Sequence, residues 1–98
     1  MKLTGKCEYD FNEWIIDNYD VKFLEKFYYL PLSMQFGVYV DFFDSVGLNI
    51  LLTVEFDWGY VITEHKYQEI EEVKKWYDTR DEARTESLKK AIEIYNKK

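Results

Sequence analysis

Ninety-eight residues, 47% hydrophobic and 33% charged with one proline and four glycines, describe one domain over 1–98 able to bury roughly two-thirds of its unfolded surface, and exclude a low-complexity chain. Nineteen acidic against thirteen basic residues give a net charge of −6, which disfavours nucleic acid and anionic membrane surfaces as partners. No apolar run approaches the ~20 residues needed to span a bilayer, and one cysteine, Cys7, rules out an intrachain disulfide or a multi-cysteine metal site.

Asp10 and Glu13 have the spacing of a capping box, so a first helix is expected to begin there, with Phe11, Trp14, Ile15 and Tyr19 on one face. Phe23, Leu24, Phe27 and Tyr28 resume that spacing, which predicts a second short helix or a kinked continuation to about Tyr29, stopped by Pro31. From Ser33 to Gly47 the apolar residues fit a helix and a strand nearly equally. A helix is preferred, with Ser33 as N-cap and Gly47 as the left-handed residue that closes it; Gly37 inside it costs up to ~1 kcal/mol relative to alanine.

Leu48, Ile50, Leu52, Val54 and Phe56 alternate with Asn49, Leu51, Thr53 and Glu55, the period of a strand with one buried face. Asp57-Trp58-Gly59 reads as a tight turn, so an antiparallel hairpin over about 48–56 and 60–66 follows, with Phe56 opposite Tyr60 and Val54 opposite Ile62. Residues 66–78 have Tyr67, Ile70, Val73 and Trp76 at every third position, which suits a helix imperfectly and a strand not at all, and leaves a strand end followed by a loop or short helix. Thr79-Arg80-Asp81-Glu82 repeats the capping-box spacing. A final helix over about 80–96 buries Ala83, Leu88, Ala91, Ile92 and Tyr95, and Glu86 with Lys90 and Glu93 with Lys97 form acid-before-base pairs on its exposed side. The fold class is α+β: N-terminal helices, one hairpin and a capped C-terminal helix.

Chemistry is sparse. His65, the only histidine, points opposite to Glu64 in a strand, so the two form no local acid–base pair. Asp41 and Asp44, one helical turn apart, lack the further ligands a cation site needs. Cys7 has Lys6 beside it, which would lower a thiol pKa, yet no histidine nearby in sequence to act as its base. Phosphate loops, nucleophile elbows and zinc-ligand spacings are absent, so catalysis is unsupported and no cofactor is implied. Three Trp, nine Tyr and seven Phe are the compositional oddity. Such rings serve a small core and an interface equally well. Trp58 and Tyr60 at the hairpin tip, with Trp76 and Tyr77 before the last helix, are the candidate binding residues.

The run Leu30-Pro31-Leu32-Ser33-Met34-Gln35-Phe36-Gly37-Val38-Tyr39-Val40-Asp41-Phe42-Phe43-Asp44-Ser45-Val46-Gly47, with Thr79-Arg80-Asp81-Glu82-Ala83-Arg84 and Lys90-Ala91-Ile92-Glu93-Ile94-Tyr95-Asn96, resembles small uncharacterised proteins of phages and prophages, especially those of gut Bacteroidetes. Leu88 departs from that pattern where alanine is expected, a change that touches packing alone. The resemblance implies an accessory protein of a mobile element acting in the cytoplasm of a bacterial host, and no catalytic residue. Three functions follow as expectations: binding of a host or phage protein through aromatic and acidic surface; a small-ligand or nucleotide module that stacks a planar molecule between rings; an enzyme, if His65, Cys7 or the Asp41 and Asp44 pair converge in a cleft. A sheet edge pairing with its copy would add a homodimer.

Overall fold

Seven elements follow one another in a computed structural model that describes residues 3–64, 68–72 and 76–98: α1 (Gly5–Asn18), α2 (Val21–Phe27), α3 (Leu32–Ser45), β1 (Leu48–Val54), β2 (Trp58–Glu64), β3 (Gln68–Glu72) and α4 (Arg80–Asn96). The strands form an antiparallel sheet in the order β1-β2-β3. Helix α3 packs on β1, α4 packs on β1 and β2, and α1 closes the helical layer against α2 and α4. This is the expected α+β class, with a third strand added to the hairpin.

Helix α1 begins at Gly5, more than a turn before Asp10. Its N-terminus is satisfied from the other end of the chain: Asn96 Oδ1 accepts from the Cys7 backbone N–H at 2.8 Å, while Asn96 Nδ2 donates to the Thr4 carbonyl at 3.0 Å. Gly5, at φ 61°, allows this approach, since a Cβ there would lie 3.3 Å from the Asn96 side chain. Asp10 is therefore mid-helix, where it accepts from the Tyr95 hydroxyl at 2.5 Å and pairs with Lys6 at 3.3 Å. Leu3, Cys7, Phe11 and Ile15, four residues apart, form the buried stripe.

The second helix is separate, capped by Asp20, whose side chain accepts from the Phe23 N–H at 2.7 Å. For α3 the helical choice holds. Its buried residues are Gln35, Tyr39, Phe42 and Phe43, and Gly47 at φ 89° closes it. The cap differs from the expected Ser33: Pro31 occupies that position, its carbonyl accepting from Met34 and Gln35, and the Gln35 amide reaches back to the Leu30 carbonyl at 2.9 Å. At α4 both cap and stripe are as expected. The Thr79 hydroxyl accepts from the Glu82 N–H at 3.1 Å, and Ala83, Leu88, Ala91, Ile92 and Tyr95 are all buried.

The hairpin register is corrected. Ile50 pairs with Ile62, Leu52 with Tyr60 and Val54 with Trp58, so the loop is Glu55-Phe56-Asp57 and Trp58 is the first residue of β2. Both registers have a three-residue loop and the same buried face, so alternation alone did not separate them. Extending the expected one down the strand decides the matter: it would set Leu52 against Glu64 and Ile50 against Lys66, wasting core positions on charges, whereas the observed one pairs apolar with apolar. Residues 68–72 are a strand, paired to β2 across a register shift between Ile62 and Thr63. Strand β2 is described as far as Glu64; residues 65–67, His65 among them, on which the expected end of that strand at residue 66 falls, lie outside the described residues.

Candidate functional site

Most of the aromatic excess is core. Phe11 touches Phe27, Tyr39 and Phe42 with ring centroids 5.3, 4.9 and 5.3 Å apart, and Phe42 continues to Tyr95 at 5.8 Å. These rings join α1, α2, α3 and α4. An abundance of rings is thus accounted for by packing, and a binding site has to be sought among the side chains the core leaves out.

Burial along β1 falls from base to tip. Leu48 is fully buried, Leu52 half-buried, Val54 57% exposed and Phe56, in the loop, 101% exposed. The hairpin outruns the helices that cover it, which leaves Phe56 without a neighbour to shield it. On the other face Leu51 is 64% exposed. The four sequence candidates divide around this end. Trp58 is half-buried, with the Arg80 guanidinium over its ring at 4.7 Å. It exchanges backbone hydrogen bonds with Tyr77, at 2.9 Å from its N–H and 2.8 Å to its carbonyl, which brings Trp76 and Tyr77 to the same end of the sheet. Trp76 is 44% exposed and Tyr77 half-buried. Tyr60, by contrast, is a buried core side chain. Phe56, the most exposed apolar residue here, was missed because the expected register placed it in the strand.

Beside Tyr77 runs an open groove of about 410 Å³ lined by Tyr77, Asp81, Glu82, Thr85 and Glu86. Burial, reinforced by the Glu86 carboxylate, pushes the Tyr77 hydroxyl pKa up. Of the carboxylates in that lining, Asp81 pairs with Arg84 at 2.9 Å and Glu86 with Lys89 at 3.3 Å, so much of their charge is answered from within α4. The groove lies next to the apolar hairpin end, and together they suit a surface that presents apolar side chains within a polar rim.

Two other hollows bear on the alternatives. One, of about 600 Å³ between α4 and the starts of α1 and α3, is lined by Thr4, Leu32, Gln35, Thr85, Lys89, Ile92, Glu93 and Asn96 and has no ring in that lining. At the α1–α2 junction Tyr19, Asp20, Lys22, Phe23 and Lys26 line an open hollow of about 420 Å³, but Tyr19 and Phe23 stack on each other at 4.4 Å. Neither sandwiches a planar ligand between rings. Of the enzymatic candidates, His65 lies outside the described residues, and Cys7 shares no cleft with the Asp41 and Asp44 pair. Cys7 is fully buried, and burial, assisted by Asp10, pushes its thiol pKa up to about 12 against a weaker opposing pull from Lys6, so it stays protonated. Asp41 and Asp44 lie on exposed α3 surface, where partial burial, then the Asp41 charge, raises the Asp44 carboxyl. Among the described residues no group of three or more His, Cys, Asp or Glu is placed to hold a metal ion, and no helix is long and apolar enough to cross a membrane.

Compared with protein-family models, curated proteins and solved structures, the chain matches none.

Proposed function

We propose that this chain is a protein-binding domain, an accessory protein of a phage or other mobile element that engages a host or phage protein in the bacterial cytoplasm and also associates with its own copy. The observation that carries the reading is Phe56, wholly exposed at the hairpin tip with Val54 behind it, Trp76 half in solvent at the same end of the sheet, and the Tyr77 groove with its rim of charged α4 side chains alongside. Apolar anchors beside charged rim residues are how small interfaces concentrate their affinity. The test is affinity capture from bacterial lysate with the wild-type chain, Phe56→Ala, and Tyr29→Ala as a control that alters an equally exposed ring (90%) elsewhere. A specific partner retained by Tyr29→Ala and lost by Phe56→Ala supports the reading. No specific partner, or one indifferent to Phe56, defeats it.

A second reading, a small planar anion at the α1–α2 junction, draws on Lys22 and Lys26 beside the Tyr19 ring. Trp14, with its ring 6.0 Å from that of Tyr19, is the reporter: a fluorescence change on titrating nucleotides, lost in Lys22→Ala, would favour this over the protein partner.

A further inference from the structure

Helices α1 and α2 double back on one another around the turn at Tyr19 and Asp20. On the inner side the Phe11 and Phe27 rings meet 5.3 Å apart, and on the outer side the Tyr28 hydroxyl, just past the end of α2, donates to Asn12 Oδ1 at 3.4 Å. The inner side belongs to the core, which takes up Cys7, Phe11, Ile15 and Phe27. The outer side is left open. Tyr9 is 68% and Ile16 37% exposed, and with half-buried Asn12 between them they stand three and four residues apart, in one row along α1. Val21, half-buried Leu24 and Tyr28 keep the same spacing along α2, Val21 and Tyr28 with about half their surface in solvent. The Tyr28 to Asn12 hydrogen bond joins the two rows into a seam with apolar side chains on both banks.

The charges around this seam share one sign and are unanswered. Glu13 and Asp17, four residues apart, flank it on the α1 side and Glu25 on the α2 side. Glu8 lies at the Tyr28 end, where its charge, after burial, raises the hydroxyl pKa of that tyrosine. None of these four carboxylates is held in an ion pair among the described residues, whereas on α4 Asp81, Glu86 and Glu93 are each matched by an arginine or lysine of the same helix. The nearby bases are placed elsewhere. Lys6 pairs with Asp10 at 3.3 Å, and Lys22 and Lys26 line the hollow on the other flank of α2.

We propose that the outer face of the α1–α2 pair docks an amphipathic basic helix of a partner protein, its apolar residues against Tyr9, Ile16 and Leu24 and its lysines or arginines over Glu8, Glu13 and Glu25. The occupant is a helix because two helices lying side by side leave a groove that a third fills, and because a helical face has no free backbone groups with which to pair a strand. The row from Tyr9 to Ile16 spans two turns, about 10 Å, which matches apolar residues at i, i+3 or i+4 and i+7 of the incoming helix. The occupant is basic because only cations neutralise the four carboxylates, which repel phosphate backbones and anionic lipid. This surface lies on other elements than the Phe56 end of the hairpin and goes beyond the reading given above, so either can fail while the other stands.

The experiment is a fluorescence-anisotropy titration of the full chain, at low and high salt, against a labelled synthetic peptide of ~18 residues, five helical turns, built from leucine and lysine with the leucines on one face. Two control peptides replace the lysines by glutamate or scramble the order so that no apolar face forms. The variants are Tyr9→Ser with Ile16→Ser, Glu8→Gln with Glu13→Gln and Glu25→Gln, and Val46→Ser, an exposed apolar position at the far end of α3. Circular dichroism checks that each is folded. Saturable binding of the leucine–lysine peptide that weakens with salt is expected, with a loss of about tenfold or more for both control peptides and for the serine and glutamine variants, and none for Val46→Ser. Amide shifts of the wild-type chain, which need no variant, should move within residues 8–28 on addition of the peptide. No saturable binding, equal binding of the scrambled peptide, indifference to the Tyr9 and Ile16 substitutions, or shifts centred outside α1 and α2 overturns the proposal.

Discussion

Replacing Asn96 by alanine removes two hydrogen bonds that tie the end of α4 to the start of α1. The side chain caps α1 by accepting from the Cys7 N–H at 2.8 Å and holds the Thr4 carbonyl at 3.0 Å, yet it belongs to the last turn of α4. Loss of an N-cap acceptor costs about 0.5–2 kcal/mol. The second bond, in a partly exposed setting, adds about 0.5 kcal/mol, for a total near 1.5 kcal/mol. For a domain of this size each kcal/mol moves Tm by roughly 4–8 °C, so Asn96→Ala should melt about 6–12 °C below wild type, read by far-ultraviolet circular dichroism. Gly5→Ala tests the same contact from its other side. It forces alanine to φ 61° at about 1 kcal/mol and pushes a Cβ to 3.3 Å from the Asn96 side chain. The strain remains without Asn96 but the crowding does not, so the double variant should be more stable than the sum of the single losses predicts. A shift under about 2 °C for Asn96→Ala, or strict additivity with Gly5→Ala, would show that α1 is capped by other means.

Gly37→Ala should raise stability by about 0.5–1 kcal/mol in chemical denaturation, because the glycine sits inside α3 with nothing within 4 Å of the new methyl; a loss would mean the helix needs its freedom there. Asp10 has its carboxyl pKa lowered, chiefly by the Tyr95 hydroxyl and then by Lys6, so it stabilises the fold above its ordinary value of 3.8. That contribution is lost as pH falls through the lowered folded pKa, and the stability difference between wild type and Asp10→Asn should shrink below about pH 4; a difference constant from pH 7 to 2 contradicts it. For Cys7 the sign is reversed: the folded thiol is pushed from 9.0 to about 12, so stability should fall as pH rises through that window, less so in Cys7→Ala. A thiol reagent at neutral pH should label Cys7 only as fast as the chain unfolds, and rapid labelling of the native protein refutes its burial.

What the sequence disclosed, and what it hid, divides along local and non-local interactions. Helix α4 was legible in full because cap and stripe both lie within its own residues, Thr79 with Glu82 and Ala83 through Tyr95. The start of α1 was not, because its cap lies 89 residues away in Asn96, and the nearby capping-box spacing of Asp10 and Glu13 drew the boundary inward. Alternation fixed which face of the hairpin is buried but not the offset, since two three-residue loops share the same parity. Strand β3, with the sequence Gln-Glu-Ile-Glu-Glu, has no strand pattern of its own and is a strand because β2 offers it an edge. The site shifted accordingly: Tyr77 bridges Trp58 at one end of the sheet with Trp76 next to it in the chain, Tyr60 is core, and Phe56 became visible only once the register was known.

The register also decides how exposed rings should be weighed in this chain. Phe11, Phe27, Tyr39, Phe42 and Tyr95 are where they are because the helices cannot pack without them, so their number says nothing about partners. Phe56 and Leu51 contribute little to that packing, since a serine at the tip or a threonine on the open face would satisfy the same backbone. Their apolar character carries a liability, as an uncharged strand edge and an unshielded phenylalanine both promote unwanted association. Phe56→Ser and Leu51→Thr should therefore leave the melting temperature within about 2 °C of wild type, with Phe56→Ser weakening partner capture. If instead either substitution unfolds the domain, the hairpin end is part of the core and the exposed rings lose their claim to function.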